Sequence, residues 1–278
     1  PPPRGPAPRG GALFRGPPRR DLPLTPFARE RHWLGATAES HRLHDAPRDH
    51  RLLGERQDPE PRLWGREFDT LLEPWLDDHR LGGEPVLPGA AMLEMALAAA
   101  ALRFPEAPAL EVATFQILRP LPLSDGETRQ VRLRLADDGV VTLESRLRLA
   151  ETAWTLHARG RLGEAGEAAL PVTAALALAA PDEMTGPEIT ALAARLGLDY
   201  GPAFRPLVSV ATEGGQALLR LALPGAAPPD EGFHLHPVRL DGALQGLIGL
   251  LAPQFPARAD ALPEGEALVP VRFERLVF

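Results

Sequence analysis

Two residues in this 278-residue sequence are placed as if to move protons, each beside an apolar helical run. His79 precedes Gly83 and Pro88 in DDHRLGGEPVLPGAAMLEMALAAA (77–100), giving H-x-x-x-G-x-x-x-x-P. Pro88 suits the first helical position, where its missing N–H is no loss, and Gly83 allows backbone to come close to a ligand. Unpaired N–H groups at that helix N-terminus, together with the positive end of its dipole, could hold a developing enolate oxygen. In HPVRLDGALQ (236–245), Asp241 is expected at the start of a second helix, with Gln245 one turn later. That i, i+4 spacing puts both side chains on one face, so the amide can orient the carboxyl group. If the two helices lie antiparallel or offset within one sheet, His79 and Asp241 face each other as a base and an acid across a slot.

Each residue also has a plainer role. His79 follows Asp77 and Asp78 and reads as a surface or hydrogen-bonded structural histidine, while Asp241 reads as a helix N-cap. Tyr200, the single tyrosine, reads as packing beside Pro202 and Phe204. His234 and His236 fall on one side of an expected strand and could chelate a metal, but no suitably spaced third ligand follows. HRLHDAPRDH (41–50) offers His41, His44, Asp45, Asp49 and His50 at ligand-like spacing, and reads more simply as a polar interdomain loop. Glu94, inside the alanine-rich run, must find a polar edge or a partner.

The elements that must position these groups follow from composition and period. The chain is 44% hydrophobic and 24% charged, enough to build a sizeable core. A net charge of −7 without a basic or aromatic-interleaved run outside the N-terminus argues against nucleic acid, and the Arg-bearing start, whose sharper reading is a basic arm, reads more simply as linker. The absence of cysteine excludes disulfides and thiolate chemistry, and a cytoplasmic setting fits. The longest apolar runs fall short of the roughly 20 residues that span a bilayer, so no membrane segment is expected. Residues 1–49 read as a Pro/Arg-rich linker followed by a docking strap at 21–34. From 50 to 163, a strand at 64–72, a helix at 88–103 and strands at 110–119, 129–136, 139–149 and 152–163 are predicted, with a hairpin at Asp138-Gly139. Residues 164–182 are an inter-unit linker. From 183 to 278 come a helix at 185–197, strands at 204–212 and 216–223, a helix at 240–252 and a final strand near 268–278. The fold class is therefore α+β: a helix wrapped by an antiparallel sheet, twice over. Only 26 residues follow the second helix against 60 after the first, so the second sheet is expected to lack strands and the chain to be a piece of a longer polypeptide.

Together these residues resemble the dehydratase domain of modular type I polyketide synthases, a double hotdog fold. His79, Gly83 and Pro88 match its first signature. His236, Pro237, Leu240, Asp241 and Gln245 match its second, H-P-x-x-L-D-x-x-x-Q/H, and Tyr200, Gly201, Pro202 and Phe204 match Y-G-P-x-F. The resemblance runs from about residue 50 to the end, and 21–34 resembles the linker after an acyltransferase domain. Where the family has L-P-F-x-W, this chain reads Val269-Pro270-Val271-Arg272-Phe273. The resemblance implies that His79 takes the proton alpha to a thioester carbonyl and protonated Asp241 releases the beta-hydroxyl as water. Gln245, Tyr200, Gly83, Gly89, Pro88 and His236 are then substrate-positioning residues. It further implies a substrate on the phosphopantetheine of an acyl carrier protein, no cofactor or metal of the domain's own, neighbouring synthase domains as partners and a homodimer. Related readings are a domain that also isomerises the double bond or cyclises by oxa-Michael addition, and an inactive structural hotdog. A helix-start aspartate is disfavoured as an acid by the dipole. Burial in an apolar tunnel would reverse this, a shift of about three units requiring roughly 4 kcal/mol of desolvation, or the two groups would share one proton.

Overall fold

Alternation of apolar and polar residues writes most of the first sheet. In VRLRLADDGVVTLESRLRL the buried residues are Val131, Leu133, Leu135, Val141, Leu143 and Ser145, one face of two paired strands. Gly139, at φ 85°, turns the chain between them as the Asp-Gly pair predicts. A computed structural model describes residues 48–57, 60–166, 178–254 and 269–278, and Asp45–Phe278 form one compact unit. The linker at 1–20, the strap at 21–34, His41, His44 and Asp45 lie outside the described residues, as do 167–177 of the inter-unit linker.

In chain order the elements are β1 (Arg48–His50), β2 (Gly54–Gln57), β3 (Glu60–Phe68), β4 (His79–Leu81), β5 (Glu84–Pro85), α1 (Gly89–Arg103), β6 (Leu110–Ile117), β7 (Arg129–Leu135), β8 (Val140–Leu147) and β9 (Thr155–Glu164). There follow β10 (Asp182–Thr185), α2 (Gly186–Arg195), β11 (Leu198–Tyr200), β12 (Leu207–Glu213), β13 (Gln216–Leu221), α3 (Pro237–Leu251) and β14 (Arg272–Val277). Among the described residues the large sheet has the order β1-β2-β3-β7-β8-β9-β6-β14, and the second sheet has three strands, β10-β12-β13. A small sheet, β11-β4-β5, joins the two lobes. This is the double hotdog, with α1 against the first sheet, α3 against the second and the two helices touching.

Small side chains let both helices approach their sheets. Ala90, Ala91, Ala96, Ala98, Ala99 and Ala100 of α1 are all buried, and in α3 Gly242 and Gly246 face Pro206, Leu219 and Leu221. Four expectations are corrected. The strand expected at 64–72 ends at Phe68, because the Asp69 carboxylate accepts the N–H groups of Leu71 and Leu72 and bends the chain away. The strand expected from 204 starts at Leu207, after a short 3₁₀ turn at Pro202–Phe204. The second helix starts at Pro237, not 240, so Asp241 is in its second turn and is not a cap. The last strand, β14, leaves the second lobe and pairs with β6 at the edge of the first sheet. No helix among the described residues is long and apolar enough to cross a membrane.

A Cβ added at Gly242 would stand 2.4 Å from the rigid Pro206 ring, whereas one at Gly246 meets the mobile end of Leu219. Gly242→Ala is therefore expected to destabilise the chain by about 1–3 kcal/mol in urea unfolding, less the roughly 1 kcal/mol helix gain. Gly246→Ala should be closer to neutral.

Candidate active site

The first half of the site is a hairpin. The Gly82 and Gly83 backbones, at φ 58° and 83°, turn β4 into β5, so that His79 O accepts the N–H of Val86 at 3.0 Å. In return Val86 O lies 3.2 Å from His79 Nδ1. A carbonyl can only accept, so Nδ1 carries the proton and Nε2 keeps its lone pair. The ring is buried, braced edge-on by Phe204 at 5.0 Å and tilted against Tyr200 at 5.7 Å, with Trp75 stacked behind Phe204.

The second half comes from α3. Asp241 Oδ1 is 3.6 Å from His79 Nε2, and Asp241 Oδ2 accepts from Gln245 Nε2 at 2.8 Å. Gln245 Nε2 also donates to Phe204 O at 3.0 Å, which fixes the amide and through it the carboxyl rotamer. Tyr200 is paired in register with His79 across β11 and β4. Burial pushes the Tyr200 hydroxyl well above the usual phenol range, so it remains a donor. The Y-G-P-x-F stretch is fastened to the residue before His79: Asp78 O accepts the Gly201 N–H at 2.8 Å, and Asp78 Oδ2 accepts the Ala203 N–H at 2.7 Å. A Cβ at Gly201 would stand 2.0 Å from Asp78 Oδ1, which is why glycine is required there.

His79, Tyr200, Asp241 and Gln245 open on a cavity of about 430 Å³. Its other walls are largely apolar, including Leu87, Met92, Leu198 and Leu244, with Leu118–Pro120 and Val269–Val271 at one side. Gly89 lines it as well, and its missing side chain leaves room for Ile117. Pro88 is the N-cap of α1 instead of its first helical residue, and its carbonyl accepts from Ala91 and Met92.

Gly83 does not line the cavity; its role is the turn, where its carbonyl accepts from Arg80. His236, expected to position substrate, lies away from the cavity wall and caps α3. Its Nδ1 accepts the Val238 N–H at 3.1 Å and its Nε2 donates to Pro228 O at 3.0 Å. His234 and His236 sit in a loop, not on a strand, and the described residues contain no cluster of three metal-ligating side chains. Asp49 and His50 belong to β1 instead of a loop; Asp49 accepts from Arg56 and Trp64, and His50 is buried.

Two residues escape sequence reasoning. His157 and Ser145, buried in the first sheet, meet at 2.8 Å, and His157 Nδ1 donates to Pro120 O at 2.9 Å, holding the Leu118–Pro120 wall. The sequence signal is a polar residue at an inward strand position, Ser145 in the alternation of β8.

Comparison with known proteins gives a consistent result. The family described as polyketide synthase dehydratase domain matches residues 50–149, and that described as polyketide synthase dehydratase N-terminal domain matches 177–278. The chain is 38% identical over 254 residues to polyketide synthase ThaG of Burkholderia thailandensis, covering 86% of this chain and 4% of that one. It therefore spans only a small part of that relative's length. Among solved structures, the PpsC dehydratase domain from Mycobacterium tuberculosis in complex with C12:1-CoA is 30% identical, with a TM-score of 0.64 and 81% of each chain covered. The dehydratase domain from the CurJ module of curacin polyketide synthase shares the fold, with a TM-score of 0.68 at 23% identity over 83% of this chain and 79% of that one.

Burial lowers the proton affinity of His157 and His236 below the usual imidazole range. Below the unfolded value, about 6.5, the unfolded chain takes up protons that these folded rings refuse, so stability falls as pH drops through that value. Urea midpoints are expected to be lower at about pH 5.5 than at about pH 7.5, and His157→Gln should flatten the slope. A slope of opposite sign would contradict the buried, neutral assignment. Gly201→Ala is expected to lose about 1–3 kcal/mol by the same measurement.

Proposed function

The chain belongs to the polyketide synthase dehydratase domains, and from this membership and the geometry of its site we propose that it dehydrates a beta-hydroxyacyl thioester to the alpha,beta-enoyl thioester. The observation that carries the reading is the opposition of His79 Nε2 and Asp241 Oδ1 at 3.6 Å on the wall of an apolar cavity. The substrate's alpha and beta carbons would lie alongside the pair in the cavity, with the alpha C–H toward His79 Nε2 and the beta-hydroxyl toward Asp241 Oδ1. His79 Nε2 takes the alpha proton, and the electrons of that C–H bond form the new double bond. The beta C–O bond breaks as Asp241 delivers its proton to the departing hydroxyl, and water leaves. Val86 O holds the other imidazole nitrogen protonated and stabilises the imidazolium that forms, as an acceptor on Nδ1 does in general-base histidines. Gln245 keeps the carboxyl aimed, and the Tyr200 hydroxyl is a donor within the same wall for the leaving oxygen.

The displacement of Asp241 from the helix end supports the acid role, since dipole stabilisation of a carboxylate is concentrated in the first turn. The presence of the acid favours elimination over double-bond migration alone, which needs no donor at the beta oxygen. The reaction is redox-neutral and uses proton transfer only, so no cofactor of the domain's own is required. We place the acyl chain on the phosphopantetheine of an acyl carrier protein within a cytoplasmic, dimeric synthase; the apolar cavity and the C12:1-CoA complex of the PpsC domain support a fatty thioester of that kind.

Intact-mass analysis of a carrier-bound beta-hydroxyacyl thioester should show loss of about 18 Da with the native chain and none with His79→Ala. Equal product from both would remove His79 from the reaction.

A further inference from the structure

Behind the site lies a carboxylate that the chemistry above does not use. Glu94 stands within α1, fully buried, and its neighbours from Ala90 to Leu102 are all Ala, Leu or Met. Its Oε1 accepts the N–H of His234 at 2.7 Å and its Oε2 that of Leu235 at 2.8 Å. A third donor faces it: His50 Nε2 lies 3.0 Å from Oε1. His50 Nδ1 accepts the N–H groups of Leu52 and Leu53, so the neutral ring carries its proton on Nε2, toward Glu94. The contact is close but bent, an electrostatic brace in place of a linear hydrogen bond. Rings close the cluster. His50 stacks on His234 at 5.8 Å and meets Phe233 edge-on at 6.1 Å, and Phe233 meets His236 at 4.8 Å.

Packing alone does not account for this residue. Desolvating a carboxylate costs several kcal/mol that an apolar side chain of similar volume would avoid. What Glu94 holds is the lead-in to α3, since residues 234 and 235 come directly before the cap, His236. Asp241 follows five positions later on the same rigid helix, so a displacement of the lead-in is carried to its carboxyl group. A misplacement of about 1 Å at reacting groups can cost about a hundredfold in rate. The helix that carries Glu94, α1, also opens at Gly89 on the cavity wall, so it both lines the cavity and grips the lobe that brings the acid.

We propose that Glu94, braced by His50, is a positioning residue that fixes the separation of Asp241 from His79. The inference rests on the dehydratase reading and names a device that serves it.

Glu94→Gln keeps the volume but leaves one acceptor oxygen and sets an NH₂ group against a backbone N–H. The reporter is the side-chain NH₂ of Gln245, whose nitrogen donates to Asp241 Oδ2 and to Phe204 O; its NMR signals are assigned by their loss in Gln245→Met. In folded Glu94→Gln these protons are expected to shift and to exchange at least about tenfold faster, with a smaller change in His50→Phe. In turnover, kcat should fall about tenfold or more while KM changes less than about twofold, because the cavity wall is intact. Unchanged Gln245 signals in a folded variant would overturn the proposal, as would equal losses in kcat and rise in KM. If Glu94→Gln does not fold, the Gln245 signals of His50→Phe decide. A native chain without turnover would sink the dehydratase reading, and the Gln245 signals would still decide the positioning claim.

Discussion

The arrangement depends on one separation, the 3.6 Å between a histidine from one lobe and an aspartate from the other. The two groups are 162 residues apart in sequence, and each is held by its own local device. A two-glycine turn returns the chain so that Val86 O can fix the His79 tautomer. An amide one helical turn away fixes the Asp241 rotamer. The lobes are then locked to each other by the register of Tyr200 against His79 and by the Asp78 hydrogen bonds to residues 201 and 203. No single contact is strong; a neutral hydrogen bond contributes about 1 kcal/mol net. Their convergence on one pair of atoms leaves little freedom there.

The apolar lining is the second requirement. A donor or acceptor inside a dry, low-dielectric space acts more strongly than the same group in water, and an apolar wall is also what an acyl chain can occupy. Leu81, Leu87, Leu196, Leu198 and Leu244 supply that wall, while His79, Tyr200, Asp241 and Gln245 gather their polar atoms at one part of it. The departure from L-P-F-x-W does not remove that side of the wall: Val269, Pro270 and Val271 line the cavity, with smaller side chains than Phe.

Much of this was legible in the sequence, for physical reasons. Alternation with a Gly turn specified β7 and β8, and a run made mostly of Ala, Leu and Met specified α1. The i, i+4 spacing correctly paired Asp241 with Gln245, a local relation that a helix guarantees. The facing of His79 and Asp241 was expected from the motifs and is present, but helix starts, turn roles and the other long-range contacts were not legible. That His236 caps α3 depends on where the helix begins, and three residues of error made Asp241 the cap instead. Gly83 looked like a place for ligand approach, but its positive φ serves a hairpin. The docking of β14 on β6, the grip of Glu94 on residues 234 and 235, and the Ser145–His157 pair join positions far apart in sequence, which periodicity does not encode.

The most direct test of the central claim is a double-mutant cycle in single turnover on a beta-hydroxyacyl thioester, using His79→Ala, Asp241→Asn and both together. If the two groups act as one unit, the double variant will be no more than about threefold slower than the worse single variant. A loss equal to the product of the two single losses would show that histidine and aspartate act independently, and would contradict the account of a shared acid–base pair.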